Sequence, residues 1–393
     1  MTKLRAIRGV SLALLVFLPV LAALLVACGP PRPITVGGLI AETGPAGAYG
    51  QAIRQGMDLA LEEVNAGGGV LGGAELKIDY RDTATNPDTA QVGAIELLDE
   101  GVPAVIGPVA SNVALSIAPL FNKKEIVLLS PAASSPRLTK EGGDWFFRVY
   151  PSDNVEAHAM AEFCRKLAIT RVAIVAVDDV FGKGIADVFQ DHYQAPTRLV
   201  VYRKDFGGAL TPDAARAIVR EMRKAKAEAV YIAAYQDDMK VLLQAMHDMK
   251  CKVARLGTSA VTEQMIAALG EAAEGLVFPR PAFDPDAPDP KMQAFAQAFR
   301  TKYHRQPDIY AAHGYDAVKV LAEAIDKAGI ATAKEIRAQL LTQTFVGVTG
   351  RLKFNLNGDV VKVPKIYAVL NGEIVPYEEY RNAKVGKSIL AGE

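Results

Sequence analysis

Residues 104–136 read AVIGPVASNVALSIAPLFNKKEIVLLSPAASSP, and this stretch holds two strand-to-helix corners in succession. An apolar strand over 102–106 runs through Gly107-Pro108-Val109-Ala110 to Ser111, and a helix over 112–121 follows. Ser111 or Asn112 is placed to cap that helix, so free backbone N–H groups and the positive end of its dipole face whatever lies beyond. Such an end suits an anion. A second strand over 126–130 feeds Pro131-Ala132-Ala133-Ser134-Ser135-Pro136, whose small side chains let a ligand approach the main chain while Ser130, Ser134 and Ser135 offer hydroxyls. In an open α/β sheet ligands bind beyond the carboxyl ends of strands, and both corners are such ends. A carboxylate held there gains about 1.5–3 kcal/mol per charge-assisted hydrogen bond. Either corner alone reads more readily as a tight turn; two in succession, both bearing serines, shift the balance towards a site.

Outward from this stretch the pattern is a strand over 34–40, a Gly-rich loop over 41–49, an amphipathic helix over 50–65, a strand over 75–82 and a helix over 88–100. Strands alternating with helices predict a parallel sheet covered on both faces. The glycines at 67–69, 72 and 73 follow a helix and precede a strand, the reverse of a dinucleotide fingerprint, and Gly386-Lys387-Ser388 lacks a phosphate-loop glycine because position 381 is Arg381. After Tyr150-Pro151 the alternation restarts, with helices over 154–167, 182–193, 212–225 and 237–249 and strands over 171–177, 197–202, 229–234 and 255–257. The Pro-rich run 279–290 reads as a crossing loop. Long helices over 291–303 and 309–328, a shorter one over 333–341, strands near 350–355 and 365–370, and a hairpin turn at Asn371-Gly372 complete a chain that returns once to each of two α/β lobes. Both lobes open a helix with an aromatic–Gly pair, Tyr49-Gly50 and Phe181-Gly182, rings able to wall a shared cleft or simply to pack the helix starts.

At the start of the chain Lys3, Arg5 and Arg8 precede an uncharged apolar run that ends Leu25-Val26-Ala27-Cys28. Residues 1–27 read as a signal peptide and the ending resembles the lipobox of bacterial lipoproteins, which makes Cys28 a lipid anchor and 28–33 a short stiff tether. A plain transmembrane helix is the alternative. The sequence carries 44 basic and 44 acidic residues; residues 1–27 hold three of the basic ones, leaving a formal charge of −3. No basic patch interleaved with aromatics suggests nucleic acid. Cys164 and Cys251 could pair in an oxidising compartment but read as free thiols.

Taken together, ITVGGLIAETGPAGAYG (34–50), VNAGGGVLGG (64–73), VIGPVAS (105–111), LLSPAASSP (128–136), FGKG (181–184) and the strand end at Tyr235 resemble the type I periplasmic binding proteins, closest to the branched-chain amino-acid (leucine/isoleucine/valine) binding group of ABC transporters. The resemblance spans 34–380. It implies two Rossmann-like lobes with parallel sheets joined by a three-crossing hinge, lobe 1 at 34–149 plus 280–349, lobe 2 at 150–279 plus 350–382, and a tail over 383–393. It further implies a ligand carboxylate held by Ser111 and by the loop at Ala132, Ala133 and Ser134, a cleft walled by Tyr49, Phe181, Tyr235 and Tyr310, and an ABC permease as partner. In such amino-acid binders an acidic residue after the 255–257 strand holds the ligand ammonium; here Ser259 stands there. A buried unpaired ammonium is costly, so Asp178, Asp179, Asp237, Asp238 and Glu263 are candidate substitutes, or the ligand is a keto acid, an aromatic acid or an amide. Thr85 and Ala110 stand where some relatives carry a disulfide.

The expected function is an extracytoplasmic, lipid-anchored, monomeric receptor of an importer, with a ligand-sensing module as the alternative. No cofactor or metal is expected. An enzyme fits least: Ser111 and Ser134 lack a Gly-x-Ser-x-Gly context, and the five histidines show no metal-ligand spacing.

Overall fold

The computed structural model describes residues 31–281 and 283–384; the expected signal peptide, the Cys28 anchor and residues 385–393 of the tail lie outside them. The first sheet comprises β1 (Ile34–Ile40), β2 (Leu76–Asp82), β3 (Ala104–Ile106), β4 (Val127–Ser130) and β5 (Phe146–Arg148), all parallel in the order β2-β1-β3-β4-β5. Helices α1 (Gly47–Ala66), α2 (Pro87–Asp99), α3 (Ser111–Lys124) and the single turn α4 (Leu138–Glu141) connect them. Residues of β3 and β4 are apolar up to Ser130 and fully buried, as expected for a sheet covered on both faces.

The chain then crosses into α5 (Asp153–Lys166), β6 (Arg171–Val177), α6 (Val180–Tyr193), β7 (Leu199–Phe206), α7 (Pro212–Lys224), β8 (Ala229–Ala233), α8 (Gln236–Asp248), β9 (Ala254–Leu256), α9 (Glu263–Leu269) and β10 (Val277–Pro281). It returns to the first lobe with α10 (Pro290–Tyr303), α11 (Ile309–Ala328), α12 (Ala333–Thr342) and the ribbon β11 (Phe345–Gly347) with β12 (Gly350–Leu352). A third crossing delivers β13 (Pro364–Leu370), β14 (Glu373–Pro376) and α13 (Tyr377–Ala383) to the second sheet, ordered β14-β13-β10-β9-β8-β6-β7. The architecture is therefore α/β, two lobes of doubly covered sheet joined by three crossings.

Two of the departures from the sequence reading have a local cause. The Pro-rich run does not begin as a loop: Pro279 and Pro281 lie inside β10 and pair antiparallel with Ile366 and Pro364 of β13. Beyond Val277 the other neighbour, β9, has ended, so this part of β10 has an edge on one side where a missing N–H is tolerated. The other departure is at α3, which starts one residue early. Ala110, in extended conformation, occupies the cap position, Ser111 is the first helical residue, and no side chain caps the end. The hairpin at Asn371-Gly372 forms with positive φ at both residues, 53° and 80°, as a two-residue turn of this kind requires.

The packing that sets the site is between the two 20-residue helices α1 and α11. They lie side by side through Gly56 and Gly314: a Cβ on Gly56 would stand 1.9 Å from the carbonyl oxygen of Ala311, and one on Gly314 2.3 Å from that of Ile53. This reciprocal contact brings the N-terminal turns of both helices together, with Tyr49 and Tyr310 at the same end, their rings 4.7 Å apart. Each fully buried aliphatic side chain behind them stabilises the fold by about 1.5–3 kcal/mol. Among the described residues no helix is long and apolar enough to cross a membrane.

Candidate ligand-binding cleft

The two corners of the first sheet are stitched to each other. Ser130 Oγ donates to the carbonyl of Pro108 (2.7 Å) and accepts from the N–H groups of Ala132 (3.3 Å) and Ala133 (2.8 Å). Ser111 Oγ accepts from the N–H groups of Ser134 (3.2 Å) and Ser135 (3.1 Å). Two donors use both lone pairs of the Ser111 hydroxyl and leave its single proton to give away. The N–H groups of the loop, expected to face a ligand, are thus spent inside the loop, and the donors left at this wall are the Ser111 hydroxyl and the uncapped start of α3.

Arg148, fully buried at the end of β5, holds the loop from behind. It donates from Nε to Asp359 Oδ1 (2.6 Å), from Nη2 to Thr139 Oγ1 (2.7 Å), and from Nη1 to the carbonyls of Ser135 (3.0 Å) and Ala133 (3.3 Å). Asp359 lies between β12 and β13, so this ion pair ties the loop to a segment that crosses between the lobes.

Between the lobes lies a cavity with about 420 Å³ of empty space, opening to solvent included. Of the residues singled out in the sequence, Tyr49, Ser111, Ala132, Ser134, Phe181, Tyr235, Ser259 and Tyr310 line it, and Ala133 does not. Tyr150 also lines it, although its sequence context marks only the change of lobe. The rings form a chain: Phe181 to Tyr235 at 5.4 Å, Tyr235 to Tyr49 at 6.4 Å, Tyr49 to Tyr310 at 4.7 Å, and Tyr310 to Tyr150 at 6.0 Å and nearly parallel.

The lobes are drawn together across this cavity. Tyr49 Oη donates to the carbonyl of Ala260 (3.0 Å) and accepts from the N–H of Gln236 (2.8 Å), Tyr310 Oη donates to the carbonyl of Ser259 (3.0 Å), and Ser135 Oγ donates to that of Val180 (3.0 Å).

No side chain on the cavity wall is charged, but three carboxyl groups, two buried and one half-buried, stand one hydrogen bond behind it. Ser134 Oγ donates to Asp153 Oδ2 (3.0 Å), Tyr235 Oη to Asp179 Oδ2 (2.9 Å), and the N–H of Ser259 to Glu156 Oε1 (2.8 Å). Burial raises all three carboxyls above the usual carboxylate range, and proximity to Asp153 raises Glu156 further.

Of the five carboxylates offered by the sequence in place of Ser259, only Asp179 reaches this layer, and it also caps α6 by accepting from the N–H of Gly182 (2.8 Å). Asp178 is 4.0 Å from Lys183, Asp237 pairs with Lys240 (2.7 Å), Asp238 accepts from the N–H of Leu210 (2.7 Å), and Glu263 pairs with Arg280 (2.9 Å). Asp153 and Glu156 escape a sequence reading because acids in the first turn of a helix ordinarily complement its dipole. Their burial follows from α5 starting at a lobe crossing. Thr85 ties the loop after β1 to the loop after β2, accepting from the N–H of Ala46 and donating to the carbonyl of Thr43, both at 3.1 Å.

Comparison with known proteins shows what the whole chain is similar to. The leucine-, isoleucine-, valine-, threonine-, and alanine-binding protein of Pseudomonas aeruginosa is 29% identical over 328 residues, covering 81% of this chain and 84% of its own. The Leu/Ile/Val-binding protein BraC3 of Rhizobium johnstonii is 28% identical over 352 residues, 88% of this chain and 94% of its own. Among solved structures, the branched-chain amino acid transporter substrate-binding protein LivJ of Streptococcus pneumoniae, in complex with isoleucine, superposes with a TM-score of 0.80 at 26% identity over 87% of this chain and 97% of its own. A solute-binding protein of Rhodopseudomonas palustris in complex with benzoate, 21% identical, shares the fold with a TM-score of 0.80 over 88% of this chain and 95% of its own. The model of the family described as periplasmic binding protein matches residues 33–367, and the chain belongs to that family.

Proposed function

We propose that the protein is the substrate-binding component of an ABC importer, which captures a branched-chain or related α-amino acid by closing two lobes, residues 34–149 with 280–349 and residues 150–279 with 350–382. The observation that carries this reading is the polarity of the cavity: a hydroxyl with a free proton, Ser111, on the first lobe and carboxyls behind Tyr235 and Ser259 on the second. The first suits a carboxylate and the second an ammonium. The rings of Tyr49, Phe181, Tyr235 and Tyr310 pack an aliphatic side chain, with Ala132 leaving it room. The likeness to proteins named for leucine, isoleucine and valine supports the same ligand class. Capture needs differential affinity for the closed state, not catalysis. Cys28 as lipid anchor, an extracytoplasmic monomer and a membrane permease as partner complete the proposal.

One observation favours a second reading, a non-amine acid such as a keto or aromatic acid: no charged side chain stands on the wall itself. Thermal unfolding of the soluble form beginning at Gly29, refolded to strip bound ligand, separates the two. A ligand at a thousand times its Kd stabilises by about 4 kcal/mol, so leucine, isoleucine or valine should raise the melting temperature by several degrees while benzoate and 4-methyl-2-oxopentanoate do not. Stabilisation by the latter pair alone would replace the first reading with the second.

A further inference from the structure

We propose that Glu156 supplies the countercharge for the ligand's ammonium and gives up a proton to solvent when it does so, coupling amino-acid capture to proton release. The inference rests on the reading that the ligand is an α-amino acid. Its ground is geometric. Ser259 lines the cavity and its N–H donates to Glu156 Oε1 at 2.8 Å, which puts a carboxyl directly behind that wall position. Glu156 is buried, and its charged neighbour on the same helix is Asp153, another acid whose Oδ1 is buried without a hydrogen-bond partner.

The groups around Glu156 explain why it holds a proton while the cleft is empty. From its own helix comes Asp153; from β8 the hydroxyl of Tyr231; from the chain before α5 Tyr150; from α11 Tyr310. Helix α6 brings Asp179 at its start, and His192 at its other end lies against the exposed His158. Strand β10 brings Arg280, which is held by Glu263 and lies over the ring of Tyr367 in β13. Arg148 acts on Asp153 and is itself paired with Asp359. Burial and the neighbouring Asp153 push the Glu156 carboxyl up to about 8. An ammonium beside Ser259 reverses the balance, because an opposite charge within a few ångströms favours the ionised form. The carboxyl then becomes a carboxylate, one proton passes to the buffer, and the pair is neutral in the closed cleft. A keto acid brings no ammonium and releases no proton.

The sign follows from linkage. Where the free protein binds the proton and the complex does not, affinity rises with pH, here by about 50-fold from pH 6 to pH 8 for a group titrating near 8. The test is calorimetric titration of the refolded soluble form with leucine and with 4-methyl-2-oxopentanoate, at pH 7 in phosphate and in Tris, whose ionisation enthalpies differ. Expected are nearly one proton released per leucine, none for the keto acid, and for Glu156→Gln a loss of proton release, a flat pH profile and leucine affinity lowered at least about 10-fold. Asp153→Asn removes the acid that adds to the effect of burial on Glu156, so it should reduce the release without abolishing it. Ligand-free melting reports folding: Glu156→Gln should melt at or above the wild type at pH 8, because glutamine mimics the protonated acid.

Leucine binding to the wild type without proton exchange, or unchanged in Glu156→Gln, would overturn the role of Glu156 and leave the amino-acid reading standing. Release lost in Asp153→Asn and kept in Glu156→Gln would overturn the assignment in favour of Asp153. Binding of the keto acid but of no aliphatic amino acid would overturn the amino-acid reading, and the inference with it.

Discussion

Replacing Tyr49 by phenylalanine isolates the energetics of closure. The ring stays, so its contacts with Tyr310 at 4.7 Å and Tyr235 at 6.4 Å are kept. What disappears is the hydroxyl, which donates to Ala260 and accepts from Gln236, both in the opposite lobe. In an open cleft water serves all three groups. In the closed cleft the variant loses one net hydrogen bond, about 1 kcal/mol, and strands the buried N–H of Gln236, which costs about 1–3 kcal/mol more. A total of about 2–4 kcal/mol weakens ligand binding at least about 30-fold. Calorimetric titration of the refolded variant measures it. The internal control is Tyr80→Phe, which removes a hydrogen bond to Asp58 (2.8 Å) within the first lobe and should leave Kd alone. A Kd for Tyr49→Phe within about 3-fold of the wild type would refute the claim that these cross-lobe bonds hold the cleft shut.

Other consequences follow from the same geometry. Ser111→Ala removes the free hydroxyl proton and the acceptor for the N–H groups of Ser134 and Ser135, so affinity for a carboxylate ligand should fall by about 1 kcal/mol or more in titration; unchanged affinity would refute that assignment. Arg148→Met leaves Asp359 buried without its cation and should lower the unfolding free energy by about 3–5 kcal/mol in urea, an effect absent if the pair were only a bystander. Cys164 and Cys251 are free and buried, and burial pushes the Cys164 thiol up to about 12; the soluble form should react with iodoacetamide at pH 8 only after unfolding, and modification of the native protein at either cysteine would contradict this.

The two α/β lobes were legible because continuous apolar runs such as residues 172–177 alternate with helical periodicity, and because the small-residue corners at 107–111 and 131–136 interrupt that pattern in a recognisable way. What was not legible is non-local. Which donors the loop at 131–136 spends on itself depends on Ser111, more than twenty residues away, and on Ser130 reaching across to Pro108. Glu156 looks like an ordinary first-turn acid until the lobes are placed, when it lies behind Ser259, 103 residues later. The strand through Pro279 and Pro281 is another tertiary effect: proline argues against a strand unless the position has lost its neighbour on one side, and the end of β9 supplies that condition.

The most direct test of the central claim is a crystal structure of the refolded soluble form grown with leucine. The amino acid should lie between the lobes, its carboxylate within hydrogen-bond distance of Ser111 Oγ, its ammonium facing Ser259 with Glu156 behind, and its side chain against Tyr49 and Tyr310. Leucine bound in the reverse orientation, or outside this cavity, would contradict it.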